Sequence, residues 1–165
     1  IGNLLNRTLN MLVKYFDGEI KPEFITDKNS KIAIAAQNTK AQIIECFNRF
    51  EIAEAANLIV SFADFTNKFV TETAPWTLAK EEKMTECGQV LYTVLEAMRF
   101  IAVMIYPYCP NIAADILEQL GVKHDFKYAN LEWGGIKAGK ITEKDKIKPV
   151  FLRLDSELAA DKKKA

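Results

Sequence analysis

Residues 51 to 73, EIAEAANLIVSFADFTNKFVTET, carry the pattern that decides the fold. Wound at about 100° per residue, Ile52, Ala55, Ala56, Ile59, Val60, Phe62, Ala63, Phe65, Phe69 and Val70 cover most of the circumference. The polar stripe (Glu54, Asn57, Ser61, Asp64, Lys68, Glu72) is narrow. A helix so nearly apolar all round is enclosed by others. The expectation is therefore a central helix within an all-α bundle.

On its C-terminal side, Ala74-Pro75-Trp76 breaks the pattern, because proline disfavours helix at the residue before it. A fourth helix is expected over 80–105, with Met84, Cys87, Leu91, Val94, Met98, Ile101, Ala102 and Ile105 on one face. Pro107 and Pro110 terminate it, and Asn111 is placed to cap a short fifth helix that stops at Gly121. On the N-terminal side, Asp27 or Ser30 is the candidate cap of a second helix that runs to Asn48. Before it, Ile1, Leu5, Leu9, Leu12 and Phe16 form an apolar stripe opposite Asn3, Asn6, Arg7, Asn10 and Lys14. Asp17-Gly18 and Pro22 close this first helix. It opens with no capping residue ahead, which suggests that the sequence begins inside or at a domain boundary.

Beyond 121 the helical period disappears. Tyr128, Leu131, Trp133, Gly134, Gly135, Ile136 and Gly139 alternate with no regular spacing, and Lys148-Pro149-Val150-Phe151 reads as extended. The expected architecture is an antiparallel bundle of about five helices over 1–121. An extended C-terminal tail over 122–158 packs on it within the same domain. The lysine-rich end, 159–165, is expected to be a frayed terminus.

Composition narrows the function classes. The 165 residues are 49% hydrophobic and carry 22 cationic and 22 anionic side chains, so the chain has no global basic footprint. Contact with nucleic acid would then have to be local and read bases rather than wrap phosphates. Cys46, Cys87 and Cys109 are odd in number and match no disulfide or zinc spacing, so they are expected to be buried thiols in a reducing cytosol. His124 has no partner at ligand spacing, so no metal site is expected. No signal peptide is apparent and no uncharged apolar run approaches a membrane span of about 20 residues. The expectation is a cytoplasmic protein with no membrane partner. No phosphate loop, paired histidines or nucleophile motif appears, and the glutamates of the third and fourth helices are spaced like solvated faces. No catalytic residue is expected. Lys83-Met84-Thr85 begins like the Lys-Met-Ser loop of class I synthetases, but it falls in an amphipathic helix with Met84 on the core stripe.

Two features offer recognition chemistry. Trp76, with Pro75 before it, stands at a helix junction, where an indole either plugs the gap between helix ends or stacks on an unpaired base. Stacking of that kind contributes roughly 1–3 kcal/mol per base and needs no basic surface. Asn3 and Arg7 lie four residues apart, hence one above the other on the polar face of the first helix. They form either an ordinary solvated face or an amide and a guanidinium fork suited to base edges.

In order along the chain stand Gly2-Asn3-Leu4-Leu5-Asn6-Arg7, Asn67 and Phe69, Ala74-Pro75-Trp76 and Leu78-Ala79-Lys80. They are followed by Tyr106-Pro107-Tyr108-Cys109-Pro110, Ile116 to Gly121, Trp133-Gly134 and Pro149-Val150-Phe151-Leu152-Arg153. This ordered set resembles the helical anticodon-binding domain of methionyl-tRNA synthetases. Phe69 and Cys109 depart from the tyrosine and methionine common there. The resemblance implies recognition of the CAU anticodon of methionine tRNA. It implies that Trp76 stacks on a base, most naturally the cytosine, that Asn3 and Arg7 contact the anticodon, and that Pro75 belongs to the same element with Asn6 as a helper. It also implies a parent methionine–tRNA ligase whose ATP and methionine bind a catalytic domain absent from this chain, so that no cofactor is bound here. The tail from 122 would pack toward that catalytic domain and expose an apolar patch. Two alternatives stay open: the anticodon bundle of the valine, isoleucine, leucine or cysteine enzyme, and a helical protein-interaction scaffold with a buried Trp76.

Overall fold

A computed structural model describes residues 1–151. Its elements are α1 (Gly2–Phe16), β1 (Glu19–Ile20), α2 (Lys31–Asn48), α3 (Ile52–Thr73), α4 (Pro75–Lys80), α5 (Met84–Ile105), α6 (Pro110–Gln119) and β2 (Gly139–Lys140). The fold is a helical bundle. Its one sheet among the described residues pairs β1 antiparallel with β2, Glu19 opposite Lys140 and Ile20 opposite Gly139.

Local chemistry accounts for most boundaries. At the end of α1, Asp17 and Gly18 take left-handed φ of 53° and 76°, and their amides return to the carbonyls of Val13 and Leu12. That closes the carbonyls a helix end otherwise leaves open. Ser30 caps α2, its Oγ accepting from the Ala33 amide at 3.3 Å. At the end of α3, Ala74 turns left-handed, φ 41°, and Pro75 takes the first position of α4, where its missing N–H costs nothing.

Several expectations need correction. The break expected at Ala74-Pro75-Trp76 opens directly into a short helix, α4, from Pro75 to Lys80, and α5 starts at Met84 rather than 80. Met84 lies in the first turn of α5 and is 37% exposed, off the core stripe. Asn111 does not cap α6: Pro110 occupies the first helical position and Cys109 the cap position, without a side-chain cap. Cys46 and Cys87 are buried as expected, but Cys109 is half-exposed.

The central helix is α5, not α3. Sixteen residues of α5 are buried against six of α3, though both have 22 residues. α5 packs on α1, α2, α3, α4 and α6, whereas the outer face of α3 leaves Ile52 and Val60 about half exposed. Although α5 is long and apolar enough to cross a membrane, most of that length lies inside the bundle. The glutamates of α5 are spaced like a solvated face, yet Glu96 is buried together with Arg99.

Glu96 and Arg99 fasten the tail to the bundle. The Glu96 carboxylate accepts from Arg99 Nε at 3.2 Å and Nη2 at 2.9 Å, and from the amides of Gly134, at 3.3 Å, and Ile136. Arg99 Nη2 also donates to the Glu132 carbonyl. Gly135 lets the tail approach the guanidinium closely, since a Cβ there would lie 2.3 Å from Arg99 Cζ. Lys40 of α2 holds the same segment by donating to the Leu131 carbonyl at 2.9 Å. Beneath it, Leu131 and Ile136 are buried, and the Trp133 ring sits 5.8 Å from that of Phe100. Val150 is also buried. Among the described residues of the tail, Phe151, at 45% exposure, is the one exposed large hydrophobic. The remaining exposed large hydrophobics lie elsewhere, Phe50 of the α2–α3 turn foremost. The end of the expected tail, 152–158, and the stretch 159–165 lie outside the described residues.

Tyr92 and Tyr128 tie the same seam, donating to the carbonyls of Ile136 (3.3 Å) and Met104 (3.0 Å). Burial pushes both hydroxyls well above the ordinary tyrosine value, with the Glu96 charge adding to the effect at Tyr92 and Tyr108 at Tyr128. The neutral phenols therefore contribute stability that is fully present below pH of about 10 and lost as pH rises through the folded values. In an ultraviolet titration followed with circular dichroism, at least two of the five tyrosines should stay protonated until the helical signal collapses. Complete ionisation near pH of about 10 with the fold intact would contradict this.

Candidate nucleic-acid interface

The polar face of α1 meets the start of α4 at Arg7. Asn3 is exposed, Asn6 and Arg7 are half-buried, and they follow one another along the first two turns of α1. α4 lies across from them because the left-handed Ala74 turns the chain out of α3. Trp76, second residue of α4, is half-buried, and the Arg7 guanidinium carbon stands 6.0 Å from its ring centroid. That distance is at the outer limit of a cation–π contact. Pro75 is buried, so it anchors the turn instead of offering a surface.

A third helix completes the arrangement. Arg7 Nη2 donates to Asn67 Oδ1 of α3 at 3.1 Å, which fixes the guanidinium between α1 and α4. Arg7 Nε is buried and has no acceptor among the described residues. Asn10 donates to the Asn6 side-chain oxygen at 3.0 Å and leaves the Asn6 amide nitrogen free to donate. Asn3 and Asn6 line a notch of about 360 Å³ whose other wall is Pro149, Val150 and Phe151.

Of the residues singled out in sequence, Arg7 and Trp76 face each other, while Asn3 and Asn6 share the helix of Arg7 and border the notch beside the tail. What sequence reasoning missed is Asn67 as the partner of Arg7. It stands in the ordered motif set, but a hydrogen bond across 60 residues leaves no trace in helical periodicity. The surface can offer a flat indole, amide donors and acceptors, and one oriented guanidinium. That is a chemistry for unpaired bases rather than for a phosphate lattice. Among the described residues no group of three or more potential metal ligands occurs.

Residues 22–141 match a family model described as the anticodon binding domain of methionyl tRNA ligase. Pro75, Trp76 and Asn67 fall inside that match, and Asn3, Asn6 and Arg7 precede it. The chain is 36% identical, over 99% of its length, to the methionine–tRNA ligase of Caldanaerobacter subterraneus subsp. tengcongensis, of which it covers 26%. It is also 36% identical, over 96% of its length, to that of Listeria monocytogenes, of which it covers 24%. The chain spans about a quarter of the length of these curated relatives. Among solved structures it superimposes on methionyl-tRNA synthetase of Mycobacterium tuberculosis, bound by methionyl-adenylate, with a TM-score of 0.80 and 24% identity. That likeness covers 92% of this chain and 30% of the other. At that identity it speaks for the fold.

Proposed function

Because the chain belongs to the family of anticodon-binding domains of methionyl-tRNA ligases, we propose that it recognises the CAU anticodon of methionine tRNA by stacking and hydrogen bonding. The observation that carries this reading is the Arg7 guanidinium, held by Asn67 over the half-buried face of Trp76 with its Nε unpartnered. Trp76 stacks on a base, most naturally the cytosine. Arg7 and Asn3 contact base edges or the adjacent backbone, Asn6 assists, and Pro75 sets the position of the indole. Such contacts suit a chain with no net charge. A half-buried indole weighs against the scaffold reading, which required Trp76 in the core.

The whole protein is proposed to be a methionine–tRNA ligase acting in the cytoplasm. This chain holds the anticodon loop, while a catalytic domain elsewhere in the same enzyme binds ATP and methionine. No residue described here is assigned a chemical step.

A titration of the protein with a CAU stem-loop and its single-base variants tests the reading. Trp76→Ala should weaken binding of the cognate loop by roughly 1–3 kcal/mol and leave the variants nearly unchanged. Equal affinity for every loop, before and after the substitution, would sink it. Asn67→Ala should act through Arg7: cognate binding falls by about 1 kcal/mol, the net worth of one hydrogen bond. In an Arg7→Ala background the same change should have no further effect. Additive losses in that cycle would place Asn67 in contact with RNA on its own account.

A further inference from the structure

A cavity of about 520 Å³ lies between α5, α6 and the tail, away from Trp76, Asn3 and Arg7. Its apolar wall is Val103, Leu117, Leu131 and Ile136, none more than 2% exposed. Arg99 is part of the same wall and only 9% exposed. Its Nε and Nη2 are taken by Glu96 and the Glu132 carbonyl, whereas Nη1 has no acceptor among the described residues. A Cβ on Gly135, another residue of the cavity wall, would lie 2.7 Å from Nη1, so the bare glycine leaves this nitrogen at the wall.

The rim is cationic. Lys123, Lys137 and Lys140 line it, against a single carboxylate, Asp125. Lys140 is engaged by Asp17 and Glu143, and Lys137 donates to the Gly134 carbonyl. Asp125 is occupied by the Lys127 amide and the Asn130 side chain. Lys123 pairs with no carboxylate among the described residues. The cavity therefore presents two unspent donors, one buried and one at the mouth, beside an aliphatic wall.

We propose that this cavity binds a small organic carboxylate, its oxygens on Arg99 Nη1 and Lys123 and its apolar body against Val103, Leu117, Leu131 and Ile136. The size lies within the usual range for small-molecule sites, about 300–1,000 Å³. Two donors match a carboxylate, whereas a phosphate dianion would leave oxygens unserved in a site this apolar. A cation would meet Arg99 Nη1 and Lys123, while the one lining carboxylate, Asp125, is already occupied. Lys40, Glu96 and Arg99 hold the floor of the site in place, so little ordering is needed on binding.

Titration of the 165-residue chain with phenylpropanoate and with phenylpropanol, followed by amide chemical shifts, tests the proposal. The acid should give saturable shifts at Val122, Ile136 and Ala138, and the alcohol should bind at least about tenfold more weakly, as expected for loss of a charge-assisted hydrogen bond. Lys123→Met, an exposed change that leaves the core intact, should weaken the acid by about tenfold and the alcohol hardly at all. Lys127→Met, outside the cavity, should change neither. The proposal is overturned by acid and alcohol of equal affinity, by shifts that do not saturate or that map elsewhere, or by Lys123→Met without effect.

Discussion

Glu96→Ala is expected to lower the unfolding free energy by about 3–5 kcal/mol, because it leaves Arg99 charged and buried without its partner. Glu96 is fully buried, and two of its four hydrogen bonds come from backbone amides of the tail, those of Gly134 and Ile136. The loss should therefore appear in two places. Urea unfolding would show the fall in stability, and hydrogen exchange would show early release of residues 131–136. Glu96→Gln keeps the shape and one set of bonds and should fall between. The decisive control is Glu96→Ala with Arg99→Met, which removes both charges. It should recover a large part of the loss, since replacing a whole buried pair by apolar groups is often close to neutral. A single substitution that costs less than about 1 kcal/mol would show that water reaches the pair and that it contributes as surface pairs do.

Gly18→Ala should be the most damaging change outside the core helix. Gly18 has φ of 76°, and a Cβ there would lie 2.0 Å from the backbone oxygen of Thr142. Its carbonyl accepts from the Ile141 amide at 3.0 Å, next to the β1–β2 pair. Neither relief is cheap, because the φ is strained for any L side chain and the colliding atom belongs to the main chain. The expected loss is about 2–3 kcal/mol, with the tail separating from the α1–β1 corner. Unchanged thermal melting together with full protection of the Ile141 amide would refute this.

How much of the site was legible differs residue by residue. Asn3 and Arg7 could be placed on one face because four residues make about one helical turn, a local rule. Trp76 stood out because Pro75 interrupts a helical pattern. Even so, α4 leaves no signal of its own: six residues are too few for periodicity to show, and the left-handed Ala74 turns the chain into it. Asn67 could not be joined to Arg7, nor Glu96 to Gly134 and Ile136, since those contacts span 60, 38 and 40 residues.

The cationic residues of the cavity illustrate the same limit. Lys123, Lys137 and Arg99 are unremarked in sequence, one in a helix and two in an irregular stretch. They share a wall only because the tail crosses α5 and α6.

From the sequence alone came the class of fold, the five longer helices, the absence of a global basic surface and the candidate recognition residues on α1 and at 75–76. All of these rest on composition, on spacing within a turn or two, or on an ordered set of motifs. Only the tertiary structure decided which helix is central. Periodicity records how much of a helix avoids water but not what covers it, and a buried ion pair looks the same as a solvated one. Thus α3, nearly apolar all round, keeps Ile52 and Val60 half in solvent, while α5 takes Glu96 and Arg99 into the core, where the tail's amides and the Glu132 carbonyl meet them.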